Sequence, residues 1–461
     1  MADDFDVVVV GAGPAGESVA GRCAVGGLST AVVEGRLVGG ECSYWGCIPS
    51  KTLLRPGDML AATRRVPGAA AAITGALDVP AALAWRDTMT SHWDDAGQVP
   101  WLDERGVELV RGHGRLAGAR AVDVVLRDGG MRRLTAREAV VVALGSDALI
   151  PPIQGLAEAQ PWTNQEITEA RSVPPRLLVL GGGAIGTEMA QAFSRFGSAV
   201  TVVEAGPRLL AHEEPFAGEQ VAAAFGAEGI SVLTGTTVTR VQREACVSVT
   251  LADGRVLTAD ELLAAVGRSP RTTDCGLESV GLTALAGRWL PVADQLRVQG
   301  GGGWLYAVGD CNGRALLTHV GKYQARICAD VILGRPARDL VDAGIVPRVT
   351  FTDPQVCAVG LTSEQARGKG LPVRVVDVPT ASVPGASVSG IGIDGTCALV
   401  VDEQRRVVVG ATFTGPGVQE LLHSATVAIA GAVTLDQLWH AVPSFPTVSE
   451  VWLRLLEAYG L

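Results

Sequence analysis

Asp6-Val7-Val8-Val9-Val10-Gly11-Ala12-Gly13-Pro14-Ala15-Gly16 is the stretch whose reading decides the fold. Four consecutive valines with no polar break predict a short parallel strand buried on both faces. Three glycines follow at once, then a helix-like run from Glu17 to Ala24. A second apolar run, Ser29 to Val33, ends in Glu34. Strand, glycine turn, helix, strand and acid in this order make a dinucleotide-binding fingerprint. Gly11, Gly13 and Gly16 would let the backbone approach a pyrophosphate, which sits at the positive helix N-terminus. Glu34 would accept hydrogen bonds from a ribose hydroxyl.

The same plan recurs downstream. Leu177 to Leu180 reads as a buried strand, followed by Gly181, Gly183 and Gly186, a helical run, and the strand Ala199 to Val203. That strand ends in Glu204, and the spacing from Gly181 to Glu204 repeats that from Gly11 to Glu34. Two fingerprints in one chain make an internal duplication of a nucleotide-binding unit. A carboxylate at Glu204 hydrogen-bonds a free ribose 2′-hydroxyl and repels a 2′-phosphate, so NAD(H) is favoured over NADP(H). Arg208 nearby keeps the phosphorylated nucleotide open.

Between the two copies lies Gly39-Gly40-Glu41-Cys42-Ser43-Tyr44-Trp45-Gly46-Cys47-Ile48-Pro49-Ser50-Lys51. A pair this close can shut a small disulfide ring, or can pack as two buried apolar side chains. The pattern resembles the redox motif of the two-cysteine flavoprotein disulfide reductases, the family of dihydrolipoamide dehydrogenase, glutathione reductase and mercuric reductase. The resemblance extends over nearly the whole chain. It implies Cys42 as the interchange thiol that meets substrate and Cys47 as the thiol facing the flavin. Tyr44 and Trp45 depart from the pattern, since relatives carry smaller residues between the cysteines.

The resemblance implies an α/β fold: two Rossmann-like nucleotide-binding domains and an α+β C-terminal dimerisation domain. Residues 1–150 and 271–340 would form the FAD domain, 151–270 the NAD(P) domain, and 341–461 the interface domain. It places FAD at the first fingerprint and a nicotinamide nucleotide at the second. It adds Gly114, Gly145, Ser146, Leu317 and His319 on the FAD side, with Asp310 on the ribityl chain. Gly112-His113-Gly114 is expected at a turn beside the adenine, and His319 as a packing residue. Val238 and Gly267 join the nucleotide side. Lys51 and Glu188 would form the ion pair that tunes the flavin edge. The last segment of one subunit would complete the other's active site, which makes the protein a homodimer.

One departure bears directly on chemistry. The family's tail reads His-Pro-Thr-x-Ser-Glu, where this chain has Phe445-Pro446-Thr447-Val448-Ser449-Glu450. Phe445 therefore stands in the place of the proton-moving histidine, while Glu450 keeps its own. A phenyl ring cannot take a proton from Cys42. His440, upstream beyond Pro443, is the nearest substitute, and nothing in the sequence aims it at Cys42.

Composition narrows the class. A net charge of −10 argues against nucleic acid, which needs a basic face. No apolar run reaches the length of a membrane span, and Ala425 to Val433 is expected as a buried helix. The acidic start, Met1-Ala2-Asp3-Asp4-Phe5-Asp6, runs into a strand and carries no secretory signature. Nine cysteines without metal-ligand spacing predict a reducing, cytoplasmic setting with one special pair. The expected function is an FAD enzyme linking NAD(P)H to a small or carrier-bound dithiol/disulfide couple, in either direction. Alternatives are reduction of a non-thiol acceptor such as a quinone, or a non-catalytic flavoprotein. A bare tail and no N-terminal metal-binding module argue against mercuric reductase itself.

Overall fold

The computed structural model describes residues 3–461; Met1 and Ala2 of the acidic start lie outside them. The chain divides into two compact units. The first comprises the chain up to Pro49, Arg86–Leu149 and Arg268–Ala343; the second comprises Ser50–Trp85, Ile150–Gly267 and Gly344–Leu461.

In the first unit, the strand Asp3–Val10 pairs in parallel with Thr30–Glu34 on one side and Met131–Val142 on the other. Val7, Val8 and Val9 are fully buried, as two covered faces require. The helix Pro14–Val25 opens with Gly13 as its N-cap and Pro14 in its first turn, three residues before the expected start. Proline fits there because its missing N–H would have no intrahelical partner. Leu305–Ala307 extends the sheet beside Met131–Val142.

Gly112-His113-Gly114 does not turn. It lies inside the strand Val107–Leu116, paired with Val124–Leu126 of the neighbouring antiparallel strand. A Cβ on Gly114 would stand 3.0 Å from Val33 and 3.1 Å from Val10, so packing between strands, not chain reversal, demands the glycine.

In the second unit, Glu261–Ala264, Arg176–Leu180, Ala199–Val203 and Ser231–Leu233 form a four-stranded parallel sheet. The helix Ala184–Arg195 follows the second glycine turn, with Met189, Ala190, Ala192 and Phe193 buried. A separate five-stranded antiparallel sheet contains Arg348–Thr350, Gln355–Gly360, Val407–Gly415, Thr396–Asp402 and Val373–Pro379. The helix Val451–Tyr459 buries Val451, Trp452, Leu455 and Leu456, and Trp452 meets the Phe413 ring edge-on at 6.1 Å. The helix Leu422–Ala430 is buried along Leu422, Ala425 and Ala428 only; Val427 is 54 % exposed, so the expected fully buried helix is amphipathic. Among the described residues no helix is long and apolar enough to cross a membrane.

Candidate active site

Cys42 lies on the short helix Gly40–Tyr44, and Cys47 opens the helix Cys47–Arg64. Both are thiols here. Cys42 hydrogen-bonds Cys47; that bond, then burial, holds the Cys42 thiol well above the ordinary range. Cys42 is thus the donor in the pair and Cys47 the acceptor. Cys47 Sγ also lies 3.4 Å from Thr318 Oγ1, in the first turn of the helix Thr318–Ile332. A helix N-terminus favours negative charge on a neighbouring sulfur. Thr318 escaped the sequence reading because it sits 271 residues from Cys47. His319, expected to pack, is exposed.

The two aromatics between the cysteines point inward. Tyr44 is 1 % and Trp45 6 % exposed, and the Trp93 indole donates to the Tyr44 carbonyl oxygen. The Arg36 guanidinium stacks 4.0 Å from the centre of the Trp45 ring. Both rings therefore anchor the Cys42 helix in the first unit. Glu41, beside Cys42, is clamped by Arg268 at 2.9 Å and Arg271 at 3.1 Å. Arg268 also donates to the hydroxyl and carbonyl oxygens of Ser146, and the Ser146 hydroxyl donates to Asp310 at 2.6 Å. Burial pushes the Asp310 carboxyl upward.

The glycines of the first fingerprint divide by what a side chain would meet. Gly11 has φ +103, and a Cβ there would stand 2.5 Å from the Ala143 carbonyl oxygen. A Cβ on Gly16 would stand 1.9 Å from the Gly11 carbonyl oxygen, so helix and strand pack too closely for any side chain. Gly13 differs: the nearest atom to its Cβ is 3.9 Å away. Protein packing does not require that glycine, which leaves the approach of a ligand as the reason for it. The helix it caps has no side-chain cap, so first-turn amides are available to a phosphate. Glu34 accepts from the backbone N–H groups of Ala12 and Arg36 at 2.7 and 2.6 Å.

The second fingerprint repeats this division. Gly181 has φ +102, Gly186 would bring a Cβ 2.0 Å from the Gly181 carbonyl oxygen, and Gly183 faces open space. Glu204 accepts from the backbone N–H groups of Gly182 and Gly206 at 2.6 and 2.5 Å. Arg208 donates to the Ala211 carbonyl oxygen at 3.1 Å. Val238 begins the strand Val238–Arg243 and is buried in a local core. Gly267 has φ +139.

Lys51 and Glu188 meet in the second unit, Nζ to Oε2 at 2.7 Å. The glutamate is buried and not on a solvated helix face, with 4 % of its side chain exposed. Phe351 donates its backbone N–H to Glu188 Oε1 at 2.9 Å, and its ring lies 4.9 Å from Lys51 Nζ. Phe351 gave no signal in the sequence beyond its place at a strand end. In the tail, Phe445 is 75 % exposed, while Glu450 Oε2 is buried without a hydrogen-bond partner.

Residues 5–325 match the model of the pyridine nucleotide-disulphide oxidoreductases, and residues 346–455 match the dimerisation domain of the same family. The chain belongs to this family. Dihydrolipoyl dehydrogenase of Mycobacterium tuberculosis is 33 % identical over 452 residues, covering 97 % of this chain and 96 % of that protein. Mercuric reductase of Staphylococcus aureus is 30 % identical over 453 residues, 97 % of this chain and 81 % of the relative. The crystal structure of LpdA from M. tuberculosis superposes with a TM-score of 0.88 at 25 % identity, covering 100 % of both chains.

As a pyridine nucleotide-disulphide oxidoreductase, this chain is an FAD-dependent enzyme with a redox-active cysteine pair and a C-terminal dimerisation domain. The residues present fit the flavin nucleotide. Gly13 is uncrowded at an uncapped helix end, and Asp310 is half-buried beside Ser146. When bound, FAD supplies two-electron transfer between a nicotinamide and the cysteine pair.

The turn also explains an acid that the sequence reading passed over. Glu17, in the first turn of the helix Pro14–Val25, is pushed up to about 7 by burial, which the Lys322 charge only partly offsets. A carboxyl raised in the folded state favours folding at low pH, and that contribution is lost as pH rises through 7. Glu17→Gln should therefore raise the melting temperature at pH 8, with a ceiling of roughly 3 kcal/mol, and leave it unchanged near pH 4. Thermal denaturation at the two pH values checks this; an equal gain at both would refute a buried charge at Glu17.

Proposed function

We propose that this protein uses NADH to reduce a small or carrier-bound disulfide through FAD and the Cys42–Cys47 pair, or runs the same couple in reverse on a dithiol. In the forward direction NADH gives up a hydride and becomes NAD+, a second proton comes from solvent, the substrate disulfide gains two electrons and two protons in all, and two thiols leave. Cys42 is the interchange thiol and Cys47 the flavin-side thiol. The observation that carries this reading is the thiol pair itself, with Cys42 donating to Cys47 and Cys47 against Thr318.

Gly11, Gly13, Gly16, Glu34, Gly114, Gly145, Ser146, Asp310, Leu317 and His319 are the proposed FAD residues. Gly181, Gly183, Gly186, Glu204, Val238 and Gly267 are those for the nicotinamide nucleotide. NADH is supported over NADPH by Glu204 at the mouth of the second glycine turn. Arg208 supports it too, because its guanidinium is engaged with carbonyl oxygens of its own loop. Lys51 and Glu188 are proposed to tune the flavin edge. The three-domain division at residues 150, 270 and 340 and a cytoplasmic homodimer with shared active sites belong to the same proposal.

Phe445 favours a second reading, transfer to a flat non-thiol acceptor such as a quinone, which needs no exchange base. An acceptor screen separates the two. Lipoamide, glutathione disulfide, cystine and a quinone are offered with NADH or NADPH at equal concentration. The first reading expects NADH to outperform NADPH at least about tenfold, and a disulfide to be turned over. Turnover of the quinone alone would overturn it.

A further inference from the structure

The Lys51–Glu188 pair is the end rung of a longer polar ladder. Lys51, Asp58 and Arg65 recur at intervals of two helical turns along the Cys47–Arg64 helix and its end. Glu188, Gln191 and Arg195 form the facing stripe on the helix Ala184–Arg195. Arg195 is the hub. Its Nη1 donates to Asp58 at 2.9 Å, its Nη2 to Asp353 at 3.1 Å and Glu228 at 2.7 Å, and its Nε to Glu228 at 3.0 Å. A Cβ on Gly57 would stand 2.7 Å from Arg195 Cδ, so that helix position is glycine where the arginine passes.

The segment Phe351–Asp353 is bracketed by this ladder along its length. Phe351 N–H goes to Glu188, and Asp353 N–H to the Gln191 side-chain oxygen Oε1 at 2.7 Å. The Gln191 amide returns a bond to the Asp353 carbonyl oxygen at 2.9 Å, and Arg65 holds the Asp353 carboxylate at 2.6 Å. We propose that Arg195 is a positioning residue for Lys51: by gathering Asp58, Asp353 and Glu228 it fixes residues 351–353, and so holds the Phe351 N–H and ring against the Glu188–Lys51 pair.

Charge decides why an arginine is needed. Three carboxylates converge on Arg195, and Arg65 shares in neutralising Asp353. Burial first, and then the Asp353 charge, raise Asp58 to about 6 against the opposing Arg195 and Arg55. Without Arg195 the carboxylates repel, and the 351–353 segment loses one of the bonds that fix it beside Glu188. Lysine would restore the charge but not the fork that reaches three partners.

The inference rests on Lys51 tuning the flavin, so the experiment carries Lys51→Met beside Arg195→Met and Arg195→Lys. All are purified with FAD, and midpoint potential, kcat, KM for NADH and melting temperature are measured. Lys51→Met is expected to lower the potential. Arg195→Met is expected to lower it in the same direction and to reduce kcat about tenfold, with KM for NADH within twofold. For a two-electron couple a tenfold change is about 30 mV. Arg195→Lys should fall between. A folded Arg195→Met with wild-type potential and kcat overturns the inference; if it does not fold, Arg195→Lys with wild-type values does. An unchanged potential in Lys51→Met overturns the reading of Lys51 and this inference with it. A shift there with none in either Arg195 variant overturns the inference alone.

Discussion

Cys42→Ser and Cys47→Ser should each lower NADH-driven disulfide reduction by at least about a thousandfold, the scale seen when a catalytic nucleophile is removed. Serine oxygen forms no disulfide, so neither variant can store two electrons between residues 42 and 47. The glycine turn and Asp310 are untouched, so both variants should purify yellow and still pass electrons from NADH to a one-electron dye. Six of the seven remaining cysteines cannot replace the pair, and the seventh, Cys246, is half-buried and contributes the same background to native and variant titrations. Cys23, Cys275, Cys311, Cys328, Cys357 and Cys397 are buried. Burial holds Cys23 and Cys311 up at about 12 and Cys275 and Cys397 at about 11, which leaves them protonated and inert at neutral pH. Titration of the native protein with a chromogenic disulfide should accordingly show two more reactive thiols after NADH than before. Neither variant should show that increase, because its one remaining cysteine of the pair is a free thiol before and after NADH. A Cys47→Ser protein that still reduces lipoamide at the wild-type rate would remove the pair from the mechanism.

The chemistry that was legible before the structure is local in sequence. The valine run, the glycine turns and the acids Glu34 and Glu204 lie within single strand–turn–helix units, so periodicity and backbone requirements reveal them. The glycines also show where this kind of reading fails. Gly114 looked like a turn because glycine serves chain reversal and close packing alike, and only the valines it packs against distinguish the two. Thr318 and Phe351 were illegible for another reason. One is an ordinary helix-opening residue and the other an ordinary strand-end aromatic. Their roles arise from contacts 271 and 163 residues away, which no local pattern encodes. The inward packing of Tyr44 and Trp45 belongs with these, since the partner Trp93 lies in a stretch with few chemical signals.

Phe445→His should raise the rate of exchange with lipoamide by about 10²–10⁴-fold, the usual worth of a positioned acid–base group. The hydrogen bond from Cys42 to Cys47 and the burial of Cys42 keep that thiol protonated, so attack on a substrate disulfide must wait for something to take that proton. The resemblance implies a histidine at the position of Phe445 and a glutamate at Glu450. Here the glutamate persists with Oε2 buried and unbonded, an acceptor whose donor is missing. With the tail completing an active site as proposed, an imidazole at 445 would supply the proton acceptor that the Cys42 thiol lacks. The wild-type rate with lipoamide should then climb steadily with pH, because the thiol must ionise unaided, while the variant should level off once its imidazole is neutral, near pH 6.5. NADH-to-dye transfer should be the same in both, since no exchange base takes part in it. A variant that gains nothing with any disulfide, yet keeps dye reduction, would show that thiol exchange is not the step this tail serves and would move the assignment to the flat acceptor that the exposed Phe445 ring suits.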